Sequence, residues 1–228
     1  TLIDSIHLAD MEAAAPVETT GQVRWFKRPT PGMTYMVSLD PSMGTGGDYA
    51  AIQVFELPTF EQVGEWHHNT TPMNQQVRIL QGITKHLHES IMEKDATATP
   101  QIFYSMENNS IGEAALLRVM DLGEENIMGM FLSEPIRKGH RRKFRRGFNT
   151  TAKHKIDACT KFKELVENNK MKINSQLLIS ELKDLVSSCL LMTRMMKVLA
   201  DFDPKIFEKW TDRTSEITPM PIFGSFTG

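Results

Sequence analysis

Three acidic residues lie at strand ends or in a turn, where their side chains are available for chemistry rather than buried in a core. Asp40 ends the β-rich run 33–40, and Asp48 follows it across a glycine-rich turn. Glu107 directly follows a second apolar run, Gln101–Met106. An acid at the end of a buried strand is presented to a cleft, and carboxylate oxygens are the ligands that Mg²⁺ and Mn²⁺ prefer. The pattern therefore favours a metal site built on these acids.

The glycine-rich turn between Asp40 and Asp48 has two other interpretations. Aspartate and glycine are the commonest turn residues, so the segment is also typical of a plain hairpin. Actin-like ATPases likewise place a glycine-rich hairpin after a strand that ends in Asp. That interpretation needs a second glycine-rich phosphate loop, which the segment after Glu107 does not supply, and no G-x-x-x-x-G-K-[ST] sequence occurs in the chain.

The elements that position the acids are short strands followed by helices. Strand composition predicts a three-stranded antiparallel meander, Thr34–Asp40, Tyr49–Glu56 and a third strand near Glu61–His68, after a strand-like piece at Val23–Lys27. Thr71-Pro72 is a helix start with Thr as N-cap. Val77, Leu80, Ile83, Leu87 and Ile91 continue it at steps of three and four.

The second half of the chain alternates between single strands and helices. Because a crossover helix separates the Asp40 strand from the Glu107 strand, we expect the two to run parallel. Their acids then meet at one edge of the sheet, where two close carboxylates need a cation. The predicted elements are the strand Gln101–Met106, a helix from Ser110 to about Leu122, the strand Ile127–Leu132, a helix from Thr150 or Thr151 to about Asn168 with Ile156, Cys159, Phe162 and Val166 inward, an extended piece within Met171–Ile179, and a helix from Leu182 to about Asp201.

This order of elements predicts an α/β, ribonuclease-H-like fold, in which helices flank a mixed sheet of a three-strand antiparallel meander plus parallel strands. We place the domain at residues 32–202. Residues 1–31 are expected to be a connector that follows a missing upstream domain, and residues 203–228 a C-terminal tail.

Charge and composition narrow the function classes. The 228 residues carry 26 Lys and Arg against 28 Asp and Glu, a net charge of -2 that argues against a generic nucleic-acid coat. The charge is uneven, however, because residues 137–146, the basic segment, hold seven Lys or Arg and no acid. No apolar run reaches the ~20 residues of a membrane helix. His67, His68, His86, His88, Cys159 and Cys189 show no zinc-ligand spacing, so we interpret the histidines as surface residues and the cysteines as reduced core residues.

The chain resembles the nuclease domain of large terminase subunits, the DNA-packaging motors of tailed bacteriophages. The segments that carry the resemblance are S-L-D-P-S-M-G-T-G-G-D-Y-A around Asp40, S-M-E-N-N-S-I-G around Glu107, R-G-F-N-T-T-A-K-H-K with the later L-V-E-N-N-K-M-K-I, and D-L-V-S-S-C-L-L from Asp184. By that resemblance Asp40, Glu107 and Asp184 are the catalytic, metal-binding acids, and Asp48 is an auxiliary ligand. The family usually has a longer loop and an acidic pair before the last acid, whereas residues 180–183 run straight into Asp184 here, which makes Glu181 an alternative ligand.

The resemblance implies a two-metal-ion endonuclease, using Mg²⁺ or Mn²⁺, that cleaves double-stranded concatemeric viral DNA during genome packaging. The implied partners are double-stranded DNA, the portal protein, the small terminase subunit and an N-terminal ATPase domain of the same protein, so this piece should lack ATPase activity. The implied location is the host cytoplasm, transiently at the procapsid portal. A non-catalytic DNA-holding module is the alternative function. The residues expected to contact DNA are Arg137, Lys138, Arg141, Arg142, Lys143, Arg145, Arg146, Lys153 and Lys155.

Overall fold

A single mixed sheet with helices on both faces forms the framework of the molecule. The structure, a computed structural model, describes residues 3–108, 110–133, 147–148 and 152–183. In chain order the elements are α1 Ser5–Ala9, β1 Glu18–Thr20, β2 Val23–Trp25, β3 Thr34–Asp40, β4 Ala50–Leu57, β5 Glu61–His68, α2 Met73–Lys94, β6 Gln101–Met106, α3 Ser110–Leu122, a 3₁₀ turn Glu124–Asn126, β7 Met130–Phe131, α4 Ala152–Glu167 and α5 Gln176–Lys183. None of these helices is long and apolar enough to cross a bilayer.

The sheet has the strand order β1-β2-β5-β4-β3-β6-β7. Strands β3, β4 and β5 form the predicted antiparallel meander, while β6 pairs with β3 in parallel and β7 pairs with β6 in parallel. The predicted mixed sheet flanked by helices, and with it the ribonuclease-H-like fold class, is therefore confirmed.

Each face of the sheet carries its own apolar core. Side chains alternate between the faces along every strand, so Val37 and Tyr104 point to one face and Met36 and Phe103 to the other. Helices α2 and α3 cover the first face, and all five predicted inward residues of α2 are buried. Residues of α1, α4 and α5 cover the second face, including Leu8, Phe162 and Leu178. The second face is the one on which the acids of interest lie.

A buried charge network fixes the end of the sheet opposite to Asp40. Glu56 is fully buried, and it accepts hydrogen bonds from Lys27 Nζ at 2.7 Å and from the Tyr35 hydroxyl at 3.0 Å. Burial raises the pKa of Tyr35, which keeps this hydroxyl a donor. Lys27 also pairs with Glu61 at 3.0 Å, and Lys172 reaches the same carboxylate at 2.8 Å. The network ties the chain before β3 to β4 and β5.

The first half of the chain differs from the sequence predictions at its ends. The predicted strand-like piece at Val23–Lys27 is β2, and β1 precedes it, so the sheet begins before residue 32. Helix α2 has Pro72 as its N-cap, because the Thr71 hydroxyl contacts His68 Nδ1 at 2.7 Å instead of capping the helix. The four histidines of the β5 end and α2 are half-buried, and two of them make ring contacts: His67 stacks on Tyr49 and His86 on Trp25.

The second half of the chain differs in helix and strand bounds. Strand β7 has only two residues, because Gly129 directly before it has a φ of +109° and therefore is not in the extended conformation of a strand. The extended piece near Lys172 is a single bridge to Glu61, and α5 already begins at Gln176. Ile156 is 66% exposed, which makes its predicted inward position wrong, because the buried stripe of α4 runs through Ala158, Phe162 and Val166.

Candidate active site

Two acidic residues lie at the adjacent ends of the central parallel strands. The register pairs Leu39 of β3 with Met106 of β6, so the next residues, Asp40 and Glu107, are neighbours at a strand spacing of about 4.8 Å. Both belong to the face that carries Met36 and Phe103, because Asp40 lies four residues after Met36 and Glu107 lies four residues after Phe103. Asp40 is 7% and Glu107 6% exposed. The structure thus brings together the pair that the sequence predicted.

The turn after Asp40 is held by one buried glutamine of α2. Gln76 Oε1 accepts from the Ser42 amide at 3.2 Å, and its Nε2 donates to the carbonyls of Ser42 at 2.9 Å and Thr71 at 2.7 Å. Gly44 must be glycine, because its φ is +69° and a Cβ there would collide with the Thr71 carbonyl. The turn is therefore built into the junction between β5 and α2 rather than loosely attached.

Glu107 is held by a returning segment of chain. It forms a parallel bridge with Phe148, the Asn108 amide donates to the Phe148 carbonyl at 2.7 Å, and the Phe148 amide donates to Met106 at 3.1 Å. Gly147 has a φ of +77°, and a Cβ would press on the Met106 carbonyl. Its amide donates to Ser133 Oγ at 3.0 Å. The two ends of the intervening segment, 134–146, are therefore joined next to Glu107.

The remaining predicted ligands are not part of this pair. Asp48 is exposed and lies two residues before β4. Within the residues that the structure describes, no group of three or more His, Cys, Asp or Glu is arranged to hold a metal. Asp184 lies outside the described residues. Two oxygen-donor carboxylates at one edge nevertheless fit a hard divalent cation as part of its ligand set.

A further acid approaches the same sheet face on helix α5. Glu65, which is 2% exposed, lies directly opposite Arg24 in the sheet, and their side chains pair at 3.0 Å. Burial, and then the negative charge of Glu65, raise the pKa of Glu181 on α5. Glu181, the alternative ligand, therefore lies near Glu65 rather than in a group with Asp40.

Two features of this region were missed by sequence reasoning. Gln76 falls on the apolar stripe of α2 together with Leu80 and Leu87, so its position on the buried face was a usable signal. His67 gave no such signal. It lies on β5, where burial first and then the charges of Arg24 and His68 lower the pKa of its ring.

The predicted DNA-contacting residues lie at the edge of what the structure describes. The basic segment, from Arg137 to Arg146, is outside the described residues. Lys153 and Lys155 belong to helix α4.

This arrangement, a mixed sheet with acids at the ends of neighbouring parallel strands, defines a ribonuclease-H-like domain. No protein-family model matches the chain. Among solved structures, the large terminase nuclease of thermophilic phage G20c with bound zinc is similar over 88% of this chain and 100% of its own, with a TM-score of 0.61 at 13% identity. The same nuclease with bound magnesium covers 77% and 76%, with a TM-score of 0.55 at 15% identity.

A similar domain also occurs in human cytomegalovirus. The human cytomegalovirus terminase nuclease domain, manganese-soaked and inhibitor-bound, is similar over 91% of this chain and 98% of its own, with a TM-score of 0.57 at 14% identity. At such identities the likeness establishes the fold. The chain has the fold of large terminase nuclease domains, which confirms at that level the resemblance first seen in the sequence.

Proposed function

We propose that this chain is a metal-dependent endonuclease that cleaves double-stranded DNA during viral genome packaging. The observation that carries the proposal is the pair of buried carboxylates, Asp40 and Glu107, at adjacent ends of β3 and β6. The similar solved structures named above are terminase nuclease domains, and two of them were solved with magnesium or manganese. Mg²⁺ or Mn²⁺ is the expected cofactor here, and two ions are proposed.

The third ligand of the proposed site is Asp184. Helix α5 begins beside the start of β5, where the Ser175 amide donates to Gln62 Oε1 at 2.8 Å, and Glu181 comes near Glu65 further along the same strand. Strand β5 runs in the direction of β3, because both are antiparallel to β4. The helix therefore runs towards the edge that carries Asp40, and the residue after its last one is Asp184.

The carboxylates have a simple task in this chemistry. Asp40 and Glu107 would supply negatively charged oxygen ligands, and their mutual repulsion would favour binding of a cation. Divalent ions held by these residues would supply activation of the attacking water and stabilisation of the leaving oxygen of the phosphodiester. The hydrogen bonds that hold the turn after Asp40 and the strand end at Glu107 keep the two residues in place.

The basic segment is proposed as the contact with the DNA backbone. A carboxylate pair repels phosphate, so a nuclease with a net charge of -2 needs positive charge close to its acids. The hydrogen bond between Ser133 and Gly147 supports this role, because it anchors both ends of the 134–146 segment next to Glu107. Lys153 and Lys155, in the first turn of α4, are proposed to extend the same contact.

A second candidate function is a DNA-holding module without catalysis. It is favoured by the observation that the described residues bring together only two acids and no third metal ligand. In that case the protein would bind duplex DNA, and Asp40 and Glu107 would serve only the structure. Both candidate functions have the same proposed partners: the portal protein, the small terminase subunit and an ATPase domain of the same protein. Both also have the same proposed location, the host cytoplasm.

A plasmid assay separates the two candidates. We expect the chain to nick or linearise supercoiled plasmid with Mg²⁺ or Mn²⁺ and not with EDTA. Asp40→Asn and Glu107→Gln keep side-chain size but remove the charge that holds the ion, so each should lower the rate by more than about a hundredfold. Glu93→Gln, an exposed acid at the far end of α2, is the matched control and should cleave normally. Cleavage by folded Asp40→Asn at the wild-type rate would refute the site.

A further inference from the structure

An exposed aromatic pair lies next to the acidic edge of the sheet. Tyr49 directly precedes β4, and His67 lies near the end of β5. Their ring centroids are 4.1 Å apart with an interplanar angle of 5°, so the two rings stack in parallel. His67 is half-buried beneath Tyr49, whose side chain remains 51% exposed. The pair therefore offers one flat aromatic face to an approaching molecule.

The sheet register places this pair beside Asp40. Asp40 pairs with Ala51 of β4, and Ala51 pairs with His67 of β5, so the three residues form one row on the same face of the sheet. The row spans two strand spacings, about 10 Å. The residue between the acid and the aromatic pair in this row, Ala51, has a small side chain and is buried. A DNA strand that reaches Asp40 is therefore within reach of Tyr49.

The position of Tyr49 is fixed by its surroundings. The turn that leads to it is tied to the end of β5, because the Gly46 amide donates to the Asn69 carbonyl at 2.9 Å and Asn69 Nδ2 donates to the Gly46 carbonyl at 3.1 Å. The stack on His67 restrains the ring itself. Among the described residues the Tyr49 hydroxyl has no hydrogen-bond partner, although it is accessible. A preorganised ring with an available donor is suited to bind a ligand rather than to seal a core.

We propose that Tyr49, supported by His67, is a DNA-backbone contact that positions the strand beside the Asp40–Glu107 edge. Its ring packs against a deoxyribose and its hydroxyl donates a hydrogen bond to a phosphate. Tyrosine makes such contacts to the backbone without reading sequence. His67 acts through Tyr49 and is therefore a positioning residue. The proposal rests on the proposed function only in taking duplex DNA as the ligand, and it does not require cleavage.

Binding of a short labelled duplex by the full chain in EDTA, followed by fluorescence anisotropy at several salt concentrations, tests this contact. Tyr49→Phe should weaken binding about tenfold, the usual effect of losing one hydrogen bond to a charged group, and Tyr49→Ala should weaken it further. The slope of log affinity against log salt should not change, because no cation is removed. Leu117→Ala, a 60% exposed apolar residue on the opposite face, is the control and should bind like the wild type.

The supporting residue has its own test. His67→Ala should weaken binding because Tyr49 loses its stacking partner, whereas His67→Phe keeps an aromatic ring there and should restore affinity. Melting temperatures of all variants are measured alongside. If Tyr49→Ala binds DNA with wild-type affinity, the inference is overturned. It is also overturned if Tyr49→Phe binds with wild-type affinity while Tyr49→Ala has a lowered melting temperature, because that combination would show that Tyr49 has only a structural role.

The outcomes also separate this inference from the proposed function. A wild-type chain that binds duplex DNA in a Tyr49-dependent way but never cleaves it ends the nuclease proposal and supports the contact. A wild-type chain that cleaves DNA while Tyr49→Ala binds normally overturns the contact alone. Absence of any DNA binding by the wild type overturns both.

Discussion

Gln76 links the stability of the domain to the position of Asp40. Its amide makes three hydrogen bonds, to the Ser42 amide, the Ser42 carbonyl and the Thr71 carbonyl, and the side chain is fully buried. Ser42 is only two residues beyond Asp40. The change Gln76→Ala removes all three bonds and leaves the backbone groups of this turn without their protein partner.

The expected cost follows from the count of bonds. At about 1 kcal/mol of net stability for each hydrogen bond, Gln76→Ala should lower the free energy of unfolding by about 3 kcal/mol. Domains of this kind have about 5–15 kcal/mol of stability, so the variant should remain folded at 25 °C. With a urea m-value near 3 kcal/mol/M, the unfolding midpoint should fall by about 1 M.

The assay is urea unfolding together with plasmid cleavage under folded conditions. Because the turn after Asp40 is loosened, the cleavage rate should fall by about tenfold or more even where the variant is folded. Gln81→Ala is the matched control, since Gln81 is on the same helix and makes one exposed hydrogen bond, to the Asn126 carbonyl at 2.9 Å. It should lose less than about 0.5 kcal/mol and keep its activity. A loss below about 1 kcal/mol in Gln76→Ala, or equal losses in both variants, would refute the reasoning.

Three further predictions address the acids, the basic segment and pH. Asp48→Asn should reduce plasmid cleavage less than Asp40→Asn, because Asp48 is exposed and outside the acid pair; a larger loss would reverse this assignment. Replacing four arginines of the basic segment by alanine should weaken binding to all DNA sequences alike and flatten the salt dependence by up to ~3.6, whereas an unchanged slope would place the DNA elsewhere. These four are Arg141, Arg142, Arg145 and Arg146. Partial burial alone would raise the pKa of Glu61, but hydrogen bonds from Lys172 and Lys27 lower this pKa below its ordinary value of 4.5. The wild type should therefore be more stable than Glu61→Gln, with the full difference present above pH 4.5 and a smaller difference as the pH falls below it. Melting temperatures that differ equally at pH 3 and pH 7 would contradict that linkage.

The part of the site that could be predicted rests on local signals. Asp40 and Glu107 each end an apolar run, and the intervening helix implies that their strands run parallel. The bounds Thr34–Asp40, Gln101–Met106 and Ser110–Leu122 agree with the structure because clear breakers flank these runs. The closeness of Asp40 and Glu107 could therefore be predicted from the ends of their strands and from the rule that a crossover helix joins parallel strands.

The parts that were not predicted depend on contacts between residues distant in sequence. Arg24 and Glu65 are 41 positions apart, and only the pairing of β2 with β5 brings them together. The start of α5 at Gln176 depends on Gln62, whose side chain accepts hydrogen bonds from the amides of Asn174 and Ser175. The inward side of α4 is set by the position of the second core, which no local pattern reveals. Ile156 was misplaced for that reason.

The hydrogen bond between Ser133 and Gly147 also bears on how this domain can change in evolution. The two residues that flank segment 134–146 are hydrogen-bonded to each other. The number of residues between them can therefore change without moving either flanking residue. The entropy cost of closing a loop grows only logarithmically, by about 0.6 kcal/mol for each doubling of length. Insertions and deletions between residues 134 and 146 should therefore be inexpensive for folding. Related domains can then vary this segment, which we propose as the DNA contact, while Asp40 and Glu107 stay in place.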